Sequence, residues 1–337
     1  MQKKLFKKLQ ILSLAASAAI TPLWACNSSH VLGMGGSSAA YTLSANTMQK
    51  GNYYIGVNAE RVQNNTLSDQ TIISAMQNGS SHLHNIDAID SYSLSLSYGL
   101  TDRLTLSMQL PYVSRINIRA GEADNGLYAV HPHGNAQGIG DISTILQYKV
   151  YDKEFKVALL AGIKAPTGKT DIADAGEVLE ADLQAGSGSW DFFAGVALTK
   201  DFDTFSLHAN ILYKKNTKGV DESQLGDIFT YNAAFSYKLF AHQHNQKFCR
   251  ADEKEDFGYF VSLFAEINGE KAYKDDFGGE TAYNTGHHVV FATVGTQVAM
   301  HSGYSFFITL SKPFYQNFNG IQNDINYKSS IGFGKSF

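Results

Sequence analysis

The residues Ser91–Leu100 read SYSLSLSYGL and decide the fold, because every second one is large and apolar. The even-numbered positions are Tyr92, Leu94, Leu96, Tyr98 and Leu100, and the odd-numbered positions are only serine and glycine. Successive side chains of a β-strand point to opposite faces of the sheet. The stretch therefore predicts a strand with one apolar face and one small, uncharged polar face.

The same pattern recurs about twelve times between Asn52 and Phe337, in segments of roughly ten residues, which is typical of outer-membrane barrels. The predicted strands are 52–63, 89–100, 103–114, 140–151, 155–165, 189–200, 204–215, 227–240, 257–268, 288–300, 303–313 and 325–337. We therefore expect an all-β fold, a transmembrane antiparallel up-and-down β-barrel of about twelve strands.

The connections between the predicted strands alternate in length. Thr101-Asp102 and His301-Ser302 are tight turns, whereas Asn64–Ala88 and Arg115–Ile139 are long and polar. Outer-membrane barrels have short periplasmic turns and long extracellular loops. An even number of strands returns the chain to its starting side, so both termini are expected in the periplasm.

The composition agrees with a membrane barrel and argues against other classes. Charged residues make up 17% of the 337 residues, against a typical ~25%. No window of about 20 apolar residues occurs beyond the first 25 residues, so an α-helical membrane protein is not expected. The formal net charge is −4, and a leader rich in lysine would make the mature chain more acidic. Nucleic-acid binding is therefore not expected.

The start of the chain predicts export. Residues 1–25 combine four lysines with a short apolar run, which is typical of a signal peptide. A periplasmic N-terminal segment over 26–51 and the barrel over 52–337 are expected to follow. The expected location is the outer membrane of a Gram-negative bacterium. The last strand ends on Phe337 and resembles the signal read by the barrel-assembly machinery.

Two cysteines, Cys26 and Cys249, fall on the same predicted side of the membrane. A disulfide between them is one interpretation, since the compartment is oxidising. Lipidation of Cys26 is a second, because Leu23–Cys26 resembles a lipobox, and two free thiols are the third.

The inward-facing positions of the predicted strands hold small polar residues and scattered charges, which a water-filled lumen tolerates. Candidate lumen-lining residues are Lys164, Asp191, His208 and Glu266, together with Phe193, Phe260, Phe264, Phe291 and Phe307, which interrupt the polar parity. A track for apolar or aromatic solutes is one interpretation of the phenylalanines. Filling of a narrow lumen, or a one-residue shift of register, is the other.

Motifs for catalysis or cofactors are weak. Gly162–Lys169 ends like a phosphate-binding loop, but five residues separate its two glycines where the motif needs four. No serine has a recognisable catalytic partner, so neither an enzyme nor a cofactor is expected. The loop histidines His82, His84, His131 and His133 are weak candidates for a metal site.

Several segments occur in the same order as in one barrel family, namely Tyr98–Leu106, Leu110–Val113, Gly138–Asp141, Ala161–Lys169 and Gly186–Phe192. Together they resemble the outer-membrane transporters of the phenol-degradation meta-pathway type, akin to FadL-like channels for hydrophobic compounds. The resemblance covers roughly Asp90–Tyr213. It implies transport of hydrophobic or aromatic solutes, and it assigns no catalytic or ligand-binding residue to this chain.

These patterns favour a monomeric outer-membrane channel that contacts the lipid bilayer and passes small solutes. A barrel that acts in adhesion or surface binding through its long loops is the main alternative. A lipid-modifying enzyme facing the bilayer is the third.

Overall fold

The structure is a computed structural model that describes residues 39–80, 83–124, 127–242 and 258–337. The predicted signal peptide, Cys26, Cys249 and His82 lie outside the described residues. In chain order the strands are β1 (Tyr53–Asn64), β2 (His84–Thr101), β3 (Leu104–Asp124), β4 (Leu127–Ile139), β5 (Ile142–Asp152), β6 (Lys156–Ala165), β7 (Ala173–Asp174), β8 (Glu177–Val178), β9 (Asp191–Asp201), β10 (Phe205–Lys215), β11 (Ile228–His242), β12 (Tyr259–Ala272), β13 (Asp276–Phe277), β14 (Glu280–Thr281), β15 (His287–Met300), β16 (Tyr304–Phe318) and β17 (Ile325–Ser336).

The main sheet closes on itself because β1 pairs with both β2 and β17. Its remaining neighbours follow in sequence order, and all pairings are antiparallel. β4 and β5 both pair with β3, end to end, so they are two segments of one barrel strand interrupted at Gly140 and Asp141. The predicted barrel of twelve strands is confirmed. The hairpins β7–β8 and β13–β14 lie outside the main sheet.

The opening stretch has the predicted two faces. Ser93 and Ser95 are buried against the lumen, whereas Leu94 and Tyr98 are 40% and 45% exposed on the outside. The register extends this alternation across strands, because Val57 of β1 lies opposite Leu94 of β2. Apolar side chains exposed on the outer face of a closed barrel have lipid as their natural solvent.

One end of the barrel carries short turns, apart from the longer β11–β12 connection, and is here called the turn side. The other end carries the long connections and is here called the loop side. The first loop-side connection contains a helix, α1 (Asp69–Gln77), which buries Ile72 and Ala75. Ser68 caps this helix, because its side-chain oxygen accepts the Thr71 N–H at 3.2 Å. No helix in the described part of the chain is long and apolar enough to cross a membrane.

The prediction of a loop over residues 115–139 is wrong for most of that range. β3 continues to Asp124 and pairs with β4, which begins at Leu127. The β3–β4 hairpin is therefore much longer than the neighbouring hairpins. The register shifts between Arg115 and Arg119, and Asn117 adopts a left-handed backbone with a φ of 54°. These irregularities break the apolar–polar alternation on which the sequence prediction depends.

Aromatic rings border the turn side. The rings of Tyr53 and Phe337 stack at 4.6 Å, and the N–H of Phe337 donates to the carbonyl of Tyr53 at 2.8 Å. The Lys335 ammonium lies 4.5 Å from the centroid of the Tyr304 ring. An amphipathic belt of this kind suits a membrane–water interface.

Candidate functional site

The lumen is occupied by the chain's own residues 39–48, here called the plug. Tyr41, Thr42 and Ala45 of the plug are each at most 3% exposed. The predicted periplasmic segment 26–51 therefore enters the barrel over residues 39–48 instead of lying wholly below it. Two residues further on, the Lys50 N–H donates to Asp102 at the β2–β3 turn.

Glu266, halfway along β12, holds the inner end of the plug. Its carboxylate accepts the N–H groups of Ala40, Tyr41 and Thr42 at 2.7, 3.1 and 2.9 Å. It also accepts the Thr42 hydroxyl at 2.7 Å. Hydrogen bonds to an ionised acceptor are about twice as strong as neutral ones. This candidate lining residue therefore anchors the plug.

Side chains from other strands bind the rest of the plug, including the Lys156 ammonium, which donates to the Asn46 side chain at 2.7 Å. Asn210 accepts the Leu43 N–H at 2.9 Å, and Thr199 accepts the Ala45 N–H at 2.8 Å. His208, a candidate lining residue, is hydrogen-bonded to Thr199 at 3.0 Å. Because these wall partners are side chains, the plug is not a strand of the barrel.

Apolar contacts fill the space between the plug and the wall. One cluster joins Tyr41 and Met48 of the plug to Tyr54, Phe264 and Phe307 of the wall. A second cluster joins Leu43 and Ala45 to wall residues that include Ile145, Leu160, Phe193 and Leu212. The plug thus has apolar partners on two sides of the lumen.

The five inward phenylalanines do not form one continuous wall. Phe264 and Phe307 contact the plug from one side, and Phe193 lies in the second cluster. Phe291 belongs to a separate cluster nearer the loop side, and Phe260 is only half-buried near the turn side. With the plug in place, three of these rings serve as its packing partners.

Beyond the plug, toward the loop side, buried side chains of the wall border a small cavity. The ammonium of Lys328 lies 3.9 Å from the Tyr41 ring centroid and 4.6 Å from that of Phe291. The adjoining cavity, which is bordered by Glu60 and His287, has a volume of about 20 Å³. That volume is enough for about one water molecule, so a solute needs rearrangement to pass.

A buried ion-pair cluster holds a loop over the loop-side mouth. The Lys164 ammonium lies 2.5 Å from Asp191 and 3.0 Å from Asp141. Asp141, at the interruption between β4 and β5, accepts the N–H groups of Gly168 and Ser187, both at 2.9 Å. The predicted lining residues Lys164 and Asp191 therefore secure the connection between β6 and β9.

Asp275 is a buried carboxyl in another loop-side connection. Burial raises its pKa to about 7, although the Gly226 N–H, which donates to it at 2.6 Å, favours the charged form. The negative charge of Asp182 contributes to the rise, and His287 opposes it. This carboxyl therefore titrates near neutral pH.

Two of the predicted metal candidates lie beside carboxylates. His84 contacts Glu180 and Asp182, and one ligand atom from each of the three lies within 4.8 Å of the others. His133 contacts Glu122 and Asp174 through different ring nitrogens, each at 3.0 Å. His131 is exposed.

A groove of about 450 Å³ lies on the outer face of the barrel. Val57, Leu94, Tyr112 and Phe333 line it, and all four are exposed on the outside. This groove faces lipid and does not belong to the lumen.

The fold is shared with solved outer-membrane barrels. The COG4313 outer membrane channel from Pseudomonas putida F1 matches with a TM-score of 0.57 and 13% identity, over 87% of this chain and 98% of that chain. The β domain of the Bordetella autotransporter BrkA matches with a TM-score of 0.45 and 13% identity, over 86% and 100%. The Pseudomonas putida toluene transporter TodX matches with a TM-score of 0.40 and 12% identity, over 90% and 95%.

A comparison with curated proteins gave no match. A family model described as "Putative MetA-pathway of phenol degradation" matches residues 94–304, which is more than half of the chain. The match includes the strands whose segments carried the resemblance and continues to the start of β16. The chain belongs to this family of outer-membrane barrels.

Proposed function

We propose that this protein is an outer-membrane channel for small solutes and that the plug closes it except when it leaves the lumen transiently. The observation that carries the proposal is how the plug is held. Glu266, Asn210 and Thr199 bind its main chain through side chains. The plug can therefore leave the lumen without breaking a strand–strand hydrogen bond of the barrel.

The solute class that we propose is small hydrophobic or aromatic molecules. On the loop side of the plug, an apolar cluster contains Val62, Val289, Phe291 and Ile325. Withdrawal of the plug would also free Phe264 and Phe307 to line the passage. Apolar rings beside polar side chains are the usual lining of a site for such molecules.

A reversible lock tests the channel. Ala45→Cys and Thr199→Cys would place thiols on two residues that are in contact, because the Ala45 N–H lies 2.8 Å from the Thr199 hydroxyl. We expect the oxidised protein to be silent in planar bilayers and to conduct after reduction, in a chain that lacks Cys26 and Cys249. The Ala45→Cys protein alone is the control, and it should conduct in either state.

Two results would count against the proposal. Equal conductance of the oxidised and reduced proteins would show that the plug is not the gate. A cysteine-free parent that neither conducts nor admits any solute into liposomes would overturn the channel itself.

Substitution of Phe291 tests the solute class separately. Phe291→Ser should slow the uptake of an aromatic solute more than that of a sugar, because the ring lies outside the cluster that packs against the plug. Phe291→Leu keeps an apolar surface and should have a smaller effect. Equal slowing of both solutes would exclude an aromatic preference.

We also propose that the turn side and both termini face the periplasm. The short connections of the turn side support this orientation. An epitope inserted after Asp171, in the loop between β6 and β7, should bind antibody on intact cells, whereas one inserted after Ser302 should not. The reverse pattern would invert the orientation.

The extension of β3 and β4 favours a second candidate function, surface binding through the loop side. The two strands pair as far as Asp124 and Leu127, well beyond the ends of neighbouring strands. A barrel that binds a surface ligand but never conducts would favour this function over transport.

A further inference from the structure

A histidine and two carboxylates meet at the loop side although they are distant in the sequence. His84 is the first residue of β2, while Glu180 and Asp182 flank the start of the 3₁₀ turn Ala181–Leu183. One ligand atom from each of the three lies within 4.8 Å of the other two. Two carboxylates and one imidazole are a donor set that proteins use for first-row dications.

The distances differ from those of the other histidine–carboxylate contacts in this chain. His84 lies 3.4 Å from Asp182 and 3.8 Å from Glu180. By comparison, His133 lies 3.0 Å from each of its carboxylates, and His287 lies 3.1 Å from Glu270. Ligand atoms at the corners of a tetrahedral zinc site are about 3.3 Å apart, given metal–ligand bonds of about 2.0–2.1 Å. The 3.4 Å between Nδ1 of His84 and Asp182 matches this spacing, whereas the 3.8 Å to Glu180 is measured from the other ring nitrogen, Nε2. One ligand atom from each of the three groups still lies within 4.8 Å of the other two.

The segment that carries the two carboxylates is held in place by other contacts. The Gln184 side chain accepts the Ile172 N–H at 2.8 Å and donates to the carbonyl of Leu179 at 2.7 Å. Leu183 is buried in a cluster with Ile118. The site is therefore preorganised before any ion binds.

The charge balance leaves room for a cation. Glu180 and Asp182 supply two negative charges, and Arg115 donates to the main-chain carbonyl of Asp182 at 2.7 Å. With His84 neutral, these groups keep a net negative charge. His84 is nearly buried and Glu180 is 43% exposed, so an ion would have protein on one side and solvent on the other.

We propose that His84, Glu180 and Asp182 bind one transition-metal dication of the Zn²⁺ class, with water completing its coordination. Imidazole with carboxylates suits such ions, whereas Ca²⁺ prefers six to eight oxygen ligands. The ion would tie the loop between β6 and β9 to the start of β2. The proposal does not depend on transport, because its test measures bound metal and not the passage of a solute.

The test is metal binding by the full-length protein in detergent. After removal of metal with a chelator, the protein is dialysed against ZnCl₂ or CaCl₂, and bound metal is counted per chain. We expect the wild type to hold one zinc ion and little calcium. His84→Ala and Asp182→Asn should each weaken zinc binding about tenfold or more.

His133→Ala is the matched control, because it removes another histidine that lies between two carboxylates. It should leave zinc binding unchanged. If His84→Ala does not fold, Glu180→Gln provides a second variant, at an exposed side chain. Folding of each variant is checked by the heat-dependent gel mobility of the barrel. Zinc should also slow proteolysis within the 166–188 connection in the wild type but not in Asp182→Asn.

Three outcomes would overturn the proposal. A wild type without bound zinc would exclude the site. Equal losses in His84→Ala and His133→Ala would show dispersed histidine binding. Calcium uptake equal to that of zinc would exclude an ion of the Zn²⁺ class.

Discussion

Glu266 accepts the N–H of Ala40 at 2.7 Å, although the two residues are 226 positions apart in the chain. The same carboxylate accepts the N–H and the hydroxyl of Thr42. Hydrogen bonds to a charged group contribute about 1.5–3 kcal/mol each. One wall side chain therefore decides how firmly the inner end of the plug is held.

Glu266→Gln should open the channel. Glutamine keeps an acceptor oxygen but loses the charge and one acceptor, so we expect the plug to lose about 2 kcal/mol of binding. That loss corresponds to an increase of roughly 30-fold in the open-to-closed ratio. Single-channel recording in planar bilayers measures this ratio.

The matched control is Glu270→Gln, four residues further along β12, where the carboxylate bonds His287 at 3.1 Å. It should leave the plug closed. Equal opening in the two variants would show that Glu266 does not hold the plug specifically.

Gly332→Ala should destabilise the barrel, because the ring of Phe307 covers this glycine and would overlap an added methyl group. Overpacking of this kind costs about 1–3 kcal/mol. Unfolding in urea, followed by gel mobility, measures the loss. Phe307→Leu in the Gly332→Ala background should restore part of it, and a double variant no more stable than Gly332→Ala would contradict the overlap.

Lys164→Met should destabilise the loop-side mouth, because it leaves Asp141 without an ammonium partner, whereas Asp191 keeps that of Lys214 at 3.3 Å. Removing one member of a buried ion pair costs about 3–5 kcal/mol. Limited proteolysis of the loop between β6 and β9 should become faster. Lys169→Met is the control, because its ion pair with Asp171 is exposed and 3.8 Å long, and it should change little.

The raised pKa of Asp275 predicts that the free energy of unfolding depends on pH. The pKa of this buried carboxyl is about 7 in the folded protein, against about 3.9 when unfolded. The folded state therefore loses about 2–4 kcal/mol relative to the unfolded state as pH rises from about 4 to about 7, and the loss is complete above pH 7. Asp275→Asn should flatten this slope and raise stability at pH 8.

Unfolding midpoints at pH 5 and pH 8 measure this effect. Asp276→Asn, at a less buried neighbouring position, removes the same formal charge and should preserve the slope. A slope that persists in Asp275→Asn would assign the pH dependence to another group.

The strands could be predicted from the sequence because the apolar–polar alternation along each strand shows which side chains face outward and which face inward. The pattern at Ser91–Leu100 gave the correct inward and outward sides without any knowledge of neighbouring strands. The family resemblance over Asp90–Tyr213 is confirmed by a match that extends to residue 304. The end of β3 was missed because the bulges between Arg115 and Arg119 interrupt the alternation.

The plug could not be predicted in the same way. Residues 39–48 have no helical or strand period, and alternation shows which face a residue occupies but not what lies across the lumen. A signal was nevertheless present on the wall. Without a partner, the rings of Phe264 and Phe307 would face the water of the lumen, which is unfavourable for apolar surface. The carboxylate of Glu266, if buried there without a partner, would also be costly.

The wall recognises the plug mainly by its main chain, and this has a consequence for how its side chains are selected. Glu266, Asn210, Thr199 and Thr105 each accept a backbone N–H of the plug. Every residue except proline carries that group, so these hydrogen bonds fix the path of the segment without selecting its side chains. Selection of side chains falls to the apolar contacts of Tyr41, Leu43 and Met48, and the barrel thus separates the path of the segment from its identity.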